Sequence, residues 1–181
     1  MIVVPIIGEN YQMNTDTYDE LWGIHPIEKG KGMMMGKEIE FPRWQQSYGQ
    51  SYNFTGVTHQ AKKLEHPYLK KILKWVQKHS GQPYKQMLIN WYEDGNHYIG
   101  PHSDNESQLV KNSPIYSFSF GQERDFVVKS KDKTYREVFK MPHNSLIIMG
   151  GEMQKYYKHS VPKRAISKCS KSRINITLRL F

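Results

Sequence analysis

The stretch Arg173–Phe181, "RINITLRLF", alternates apolar and polar residues. In an extended strand successive side chains point to opposite faces, so Ile174, Ile176, Leu178 and Leu180 share one face. Arg173, Asn175, Thr177 and Arg179 share the other. The apolar face requires a core beside it. The polar face, with two arginines, is either solvated or holds something negatively charged. A strand so apolar on one side belongs well inside a sheet, which favours a bound anion over a solvated edge.

Working back along the chain, the same period of two recurs in "QMLINWY", "PIYSFSFG", "RDFVVKS", "TYREVFKM" and "SLIIMG". Gly, Pro, Asn and Lys-rich turns separate these candidate strands. No helical pattern lies between them, which argues against parallel βαβ units and for a sandwich or barrel. Before them, "HPYLKKILKWVQKHSG" reads as a helix: Pro67 suits its first turn and Gly81 lies just past its end. Leu69, Ile72, Leu73 and Val76 recur at helical spacing, leaving Lys70, Lys71, Lys74 and Lys78 on a solvated face. Residues 1–60 look irregular, with short strand-like pieces in "EIEFP" and "SYNFTG". The expected fold is α+β, mainly a jelly-roll-like β core behind a helix-containing N-terminal portion. A chain of 181 residues suits one domain, 1–181, divided at about residue 60 into an N-terminal part and the helix plus β core.

Composition narrows the function. No apolar run approaches the roughly 18 residues of a membrane span, and "MIVVPII" lacks the basic flank of a signal peptide. The single cysteine, Cys169, excludes an internal disulfide framework and fits a reducing compartment. A soluble, monomeric, intracellular protein of cytoplasm or nucleus, with no membrane partner and no N-terminal recruitment tail, is expected. The formal charge of +9, with twelve Tyr, seven Phe and four Trp, suits a polyanion such as nucleic acid. A generic basic surface is the plainer explanation, and the lysines are spread out apart from a cluster at Lys163, Arg164, Lys168, Lys171 and Arg173.

Of the eight histidines, His25, His59, His66, His79, His97 and His143 occupy polar or turn-like contexts, where a surface position is expected. His102 and Asp104 differ, because on an extended segment they project to the same side and could reach one cation. His159 follows the apolar strand "SLIIM". Two histidines and a carboxylate on a β scaffold can occupy one face of a metal and leave the opposite positions open, as non-haem Fe(II) oxygenases require. His-x-Asp alone is a common pattern, and a zinc hydrolase could use the same ligands. The polar face of the last strand adds weight. Open iron positions suit a bidentate 2-oxo acid, whose far carboxylate needs a buried cation, and the planar fork of arginine matches it. Arg173 and Arg179 lie roughly 20 Å apart along an extended strand, too far to grip one small group.

Taken together, "NWY" (Asn90, Tyr92), "HSD" (His102, Asp104), "KHSVPK" (His159) and "RINITLR" (Arg173, Arg179) resemble the AlkB family in order and approximate spacing. That family comprises Fe(II)- and 2-oxoglutarate-dependent dioxygenases that demethylate alkylated nucleic-acid bases. "SPIYSFSFGQERDFVVK" and "NSLIIMGG" look like its core strands, and "FPRWQQSYGQSYNFTG" like its nucleotide-binding lid. The resemblance runs from about Gly36 to Phe181. It implies a double-stranded β-helix, with Fe(II), 2-oxoglutarate and O2 as cofactor and co-substrates. It implies iron on His102, Asp104 and His159, and 2-oxoglutarate on Asn90, Tyr92 and Arg173, with Arg173 at the distal carboxylate. Asn175 and Thr177 would line that pocket, and Arg179 would support Asp104 at the metal end. Phe54 would stack on the target base and His102 would cover its other side. Tyr52 and Glu106 would neighbour the base, and Arg43 would belong to the lid or substrate strand.

Two positions depart from the family. Lys158 stands where some relatives have an aromatic residue, leaving a pocket wall undefined. Asn105 stands where close relatives can carry a second carboxylate. The implied reaction is oxidative removal of alkyl groups from bases such as 1-methyladenine and 3-methylcytosine in DNA or RNA, releasing formaldehyde. An oxygenase acting on protein or a small molecule is the same-chemistry alternative, which the lid-like "SYNFTG" and the positive charge disfavour. A non-catalytic nucleic-acid-binding module is the other, disfavoured by an intact triad with both arginines.

Overall fold

The structure, a computed structural model, describes residues 1–34, 36–54, 57–104 and 106–181, with the backbone alone for Met34, Phe54 and Val57. The N-terminal part contains β1 (Ile2–Val4), α1 (Thr15–Gly23), β2 (Lys31–Met34) and β3 (Lys37–Glu40). There follow β4 (Trp44–Tyr48), β5 (Tyr52–Phe54), β6 (Val57–His59), β7 (Ala61–Lys62) and α2 (Pro67–Ser80). The remaining strands are β8 (Gln86–Tyr92), β9 (Ile99–His102), β10 (Ile115–Gly121), β11 (Arg124–Ser130), β12 (Arg136–Met141) and β13 (Ser145–Met149). The short helix α3 (Met153–Tyr156) leads into β14 (Tyr157–Val161), and β15 spans Arg173–Arg179.

A seven-stranded sheet in the order β1-β13-β10-β15-β8-β4-β7 and a four-stranded sheet, β12-β11-β14-β9, form the jelly roll. β2–β3 and β5–β6 are separate hairpins. The last strand lies at the centre of the larger sheet, between β10 and β8, with Phe118 opposite Ile176 on one side and Ile89 on the other. Its even-numbered residues enter a core with Leu69, Ile72 and Val76 of α2. Its odd-numbered residues face the smaller sheet. A second core of Tyr92, Ile115, Phe126, Val128, Ile147, Met149 and Val161 includes residues of both sheets.

α2 follows the sequence rule. His66 caps its start by accepting from Tyr68 N at 3.2 Å, and Gly81 ends it with φ +67°, a conformation that favours glycine. Leu73 is half-buried, while the four lysines are exposed. The N-terminal part is more ordered than its composition suggests. Asn14 caps α1 by accepting from Thr17 N, and Leu21 anchors the helix in the core. β1 and β4, both before residue 60, are strands of the larger sheet. Among the described residues no helix is long and apolar enough to cross a membrane.

Candidate active site

β9 and β14 pair so that His102 lies directly opposite His159, on the inner face of the smaller sheet. Asp104 follows β9 by two residues, and its backbone N–H is held by Gln154 Oε1 at 2.9 Å. One ligand atom from each of His102, Asp104 and His159 lies within 4.8 Å of the others. His102 Nε2 is 3.7 Å from Asp104 Oδ1, and His159 Nε2 is 3.6 Å from Asp104 Oδ2. His102 Nδ1 faces the carbonyl of Gly100 at 2.9 Å. Donating there fixes the tautomer and leaves Nε2 with a lone pair toward the cluster. Phe126 stacks on the His159 ring at 5.3 Å.

Electrostatics prepare the same three groups as ligands. Burial pushes His159 down to about 3, and His102 is lowered for the same reason, so both imidazoles are neutral at pH 7. Burial alone would raise the Asp104 carboxyl. Arg179, His159 and His102 together outweigh it and hold the group well below the usual carboxylate range. Arg179 Nη2 donates to Asp104 Oδ1 at 2.9 Å in a fully buried pair.

At the other end of β15, Arg173 is 1% exposed. Its Nη2 donates to Ser119 Oγ at 2.8 Å, while Nε and Nη1 have no partner among the described residues. Tyr92 lies beneath the guanidinium, with its ring centroid 5.0 Å from Cζ. Burying N–H groups of a cation without acceptors is costly, which marks a place for an anion. Asn90, Tyr92, Arg173, Asn175, Thr177 and Arg179 all line one cavity with the His–Asp–His cluster. The Asn175 amide is spent on the protein, donating to Ser117 Oγ and Phe118 O and accepting from Thr177 Oγ1. The donor set therefore fits a divalent metal, and the bare guanidinium fits a carboxylate of a co-substrate spanning the cavity.

Residues expected near the base divide. Tyr52 is 1% exposed and lines the cavity, its ring 5.7 Å from Arg179 Cζ. Burial pushes its hydroxyl up to about 12. Glu106 stands outside the lining, with both carboxylate oxygens buried and without partners among the described residues. Burial raises its carboxyl despite the field of Arg179. The Phe54 side chain and Asn105 lie outside the described residues.

Arg43 is buried, lines the cavity and donates from Nε to Asn90 Oδ1 at 2.8 Å. Lys158 is exposed, while its neighbour His159 is buried. One expectation needs correction: His97 is not a surface histidine but 6% exposed, and its Nδ1 accepts from Glu93 N. His25, His59 and His66 are half-buried, and His79 and His143 are exposed. Ser117, Ser119 and Gln45 escaped notice. The alternation in "IYSFSFG" carries the signal for the two serines, since Tyr116, Phe118 and Phe120 take the core face.

A jelly roll with a His–Asp–His cluster and a facing buried arginine defines the class of metal- and oxo-acid-dependent oxygenases. Comparison with known proteins agrees. The model of the 2OG-Fe(II) oxygenase superfamily matches residues 19–179. The chain is similar to human DNA oxidative demethylase ALKBH2, 37% identical over 157 residues that cover 81% of this chain and 59% of that protein. It is also similar to human alpha-ketoglutarate-dependent dioxygenase alkB homolog 3, 32% identical over 85% of this chain and 57% of that protein. The chain thus spans a little under three fifths of the length of either relative. The solved structure of OsALKBH1 shares the fold, with a TM-score of 0.64 at 15% identity, covering 96% of this chain and 95% of that one. The chain belongs to the 2OG-Fe(II) oxygenase superfamily and, within it, to the AlkB family. Membership implies Fe(II), 2-oxoglutarate and O2.

Proposed function

We propose that the chain removes alkyl groups oxidatively from nucleic-acid bases such as 1-methyladenine and 3-methylcytosine, with DNA as the primary substrate and RNA as the secondary one. The observation that carries this reading is the buried Arg173, two of whose nitrogens have no partner among the described residues, in one cavity with the His–Asp–His cluster. His102, Asp104 and His159 hold the metal through two neutral imidazoles and one carboxylate. Arg173 grips the distal carboxylate of 2-oxoglutarate, with Ser119 fixing its plane. Asn90 and Tyr92 contact the co-substrate beside it, and Thr177 and Asn175 shape the wall. Arg179 keeps the Asp104 carboxylate charged and oriented.

Fe(II) and 2-oxoglutarate, held by these residues, would supply with O2 the oxidation of an N-methyl carbon, with succinate, CO2 and formaldehyde as the products beside the restored base. The protein's part is to place the base. A paired base cannot reach the cavity, so it is flipped or already single-stranded, at a cost of a few kcal/mol that is smaller where alkylation has broken the pair. Stacking of a flipped base on an aromatic side chain returns roughly 1–3 kcal/mol. Tyr52 and Glu106 flank the base, and the charge of +9 attracts the phosphate backbone with an affinity that falls as salt rises.

Mass spectrometry of methylated single- and double-stranded DNA and RNA oligonucleotides, incubated with Fe(II), 2-oxoglutarate and ascorbate, tests the reading. Loss of the methyl group with formaldehyde release is expected. Consumption of 2-oxoglutarate with every oligonucleotide unchanged would reject the nucleic-acid substrate while leaving the oxygenase.

A further inference from the structure

Arg43 is a third arginine of the cavity, and nothing in the reaction outlined above uses it. It is 4% exposed and just precedes β4. Among the described residues, neither of its side-chain hydrogen-bond partners is a carboxylate. Nε donates to Asn90 Oδ1 at 2.8 Å, and Nη2 donates to Gln45 Oε1 at 3.0 Å. Gln45 and Asn90 are register partners on β4 and β8. Gln45 Nε2 in turn lies 3.1 Å from His59 Nδ1 on β6. His59 stacks on Tyr52 at 4.9 Å, across the β5–β6 hairpin.

The chemistry of these groups gives the chain of contacts a direction. A guanidinium has donors only, so both amides must turn their oxygens to Arg43. Flipping either would set donor against donor inside the protein. With Oδ1 committed, Asn90 presents its NH2 to the cavity, where it can serve only an acceptor such as a carboxylate or keto oxygen. With Oε1 committed, Gln45 presents its NH2 to His59, whose facing nitrogen accepts. One cation thus sets two amides, one toward the cavity and one toward the hairpin. Asn175, the opposite partner of Asn90 on β15, shows the contrast, since its amide is consumed within the sheet.

We propose that Arg43 and Gln45 are positioning residues: they lock the Asn90 amide with its NH2 toward the co-substrate and tie that lock, through His59, to the β5–β6 hairpin beside the base site. This rests on the reading that Asn90 contacts 2-oxoglutarate. It follows that 2-oxoglutarate in its site and a nucleotide beside Tyr52 and His59 favour each other, because both depend on the amides that Arg43 orients. Coupling of this kind is reciprocal in the two affinities.

The test uses the full chain loaded with Mn(II), which blocks turnover, and reads 2-oxoglutarate binding by calorimetry. Arg43→Met should weaken 2-oxoglutarate about tenfold, the loss expected of a hydrogen bond to a charged group, and leave Mn(II) affinity unchanged. Asn90→Leu should do the same. The double variant should be no worse than either single, because both act through one amide. Additive losses, or an Arg43→Met protein within twofold of the wild type, would overturn the lock. His59→Phe keeps a ring against Tyr52, leaves Gln45 and Arg43 untouched and removes the acceptor for Gln45 Nε2. It should bind 2-oxoglutarate normally yet lose the increase in affinity for a methylated oligonucleotide that 2-oxoglutarate produces in the wild type. A retained increase would overturn the link to the hairpin, and the variant keeps the test available if Arg43→Met does not fold. If Asn90→Leu alone leaves 2-oxoglutarate binding intact, the failure belongs to the co-substrate assignment and not to the relay.

Discussion

At one end of β15, Arg179 Nη2 donates to the carboxylate of Asp104 at 2.9 Å; at the other, Arg173 Nη2 donates to the neutral Ser119 hydroxyl, and in each guanidinium the other two nitrogens have no partner among the described residues. Both residues sit on the same face of the same strand, both are buried, and both belong to one cavity. The difference lies in where the counter-charge comes from. Arg179 carries a permanent partner, and burial is offset so far that its guanidinium is held even more firmly protonated than usual by Asp104 and Glu106. Arg173 has no such partner, and burial lowers its pKa. A charge neutralised within the fold is structural as well as functional. A charge left uncompensated weakens the empty protein and is useful only when an anion arrives.

Substitution should separate the two ends, and the largest effect is expected at the paired one. Asp104→Ala should abolish Mn(II) binding in a paramagnetic titration and destabilise the metal-free protein by about 3 kcal/mol in urea, because it strands Arg179 as a buried, unpaired charge. Unchanged stability would show that Arg179 finds another anion and would break the contrast. Arg173→Met should behave in the opposite way: metal-free stability unchanged or higher, Mn(II) affinity unchanged, and 2-oxoglutarate affinity down about a hundredfold. A large loss of stability in that variant would make Arg173 a structural residue like its neighbour. Ser119→Ala should be milder, weakening 2-oxoglutarate roughly fivefold by freeing the guanidinium plane, measured in the same calorimeter. Lys158→Tyr should change the free energy of unfolding in urea by less than about 0.5 kcal/mol and leave 2-oxoglutarate binding alone, since its side chain points to solvent.

Legibility followed periodicity. β8, β10, β11, β12, β13 and β15 stand out because one face of each is apolar over several residues, and α2 because its spacing and both caps agree. The strands that carry the histidines do not. β9 is "IGPH", with a glycine and a proline, tolerable because it is the edge of its sheet. β14 is "YKHSV", with no sustained apolar face to announce it. The His–Asp–His set was readable through its chemistry and motif order, before its scaffold was. α1 hid in a segment rich in polar residues, although Asn14 was a cap in plain view. Arg43 could not be placed from "FPRWQQ", because its burial depends on Asn90, a partner far along the chain. Ser119 was open to inference from the alternation around it, yet its use as a rest for Arg173 requires the β10–β15 register.

That register has a consequence for how the protein is made. β15 separates β10 from β8, and both neighbours precede it in the chain. Until residues 173–179 have left the ribosome, β8 and β10 each present an open, largely apolar edge to water. Synthesis proceeds at roughly 5–20 residues per second, so this unsealed interval lasts for seconds on every nascent chain. A shift of one residue on insertion would drive Arg173 and Arg179 into the apolar core and turn four aliphatic side chains into the cavity. The strand is therefore a proofreading step in assembly: the two charges that serve the co-substrate and the metal end also forbid the wrong register.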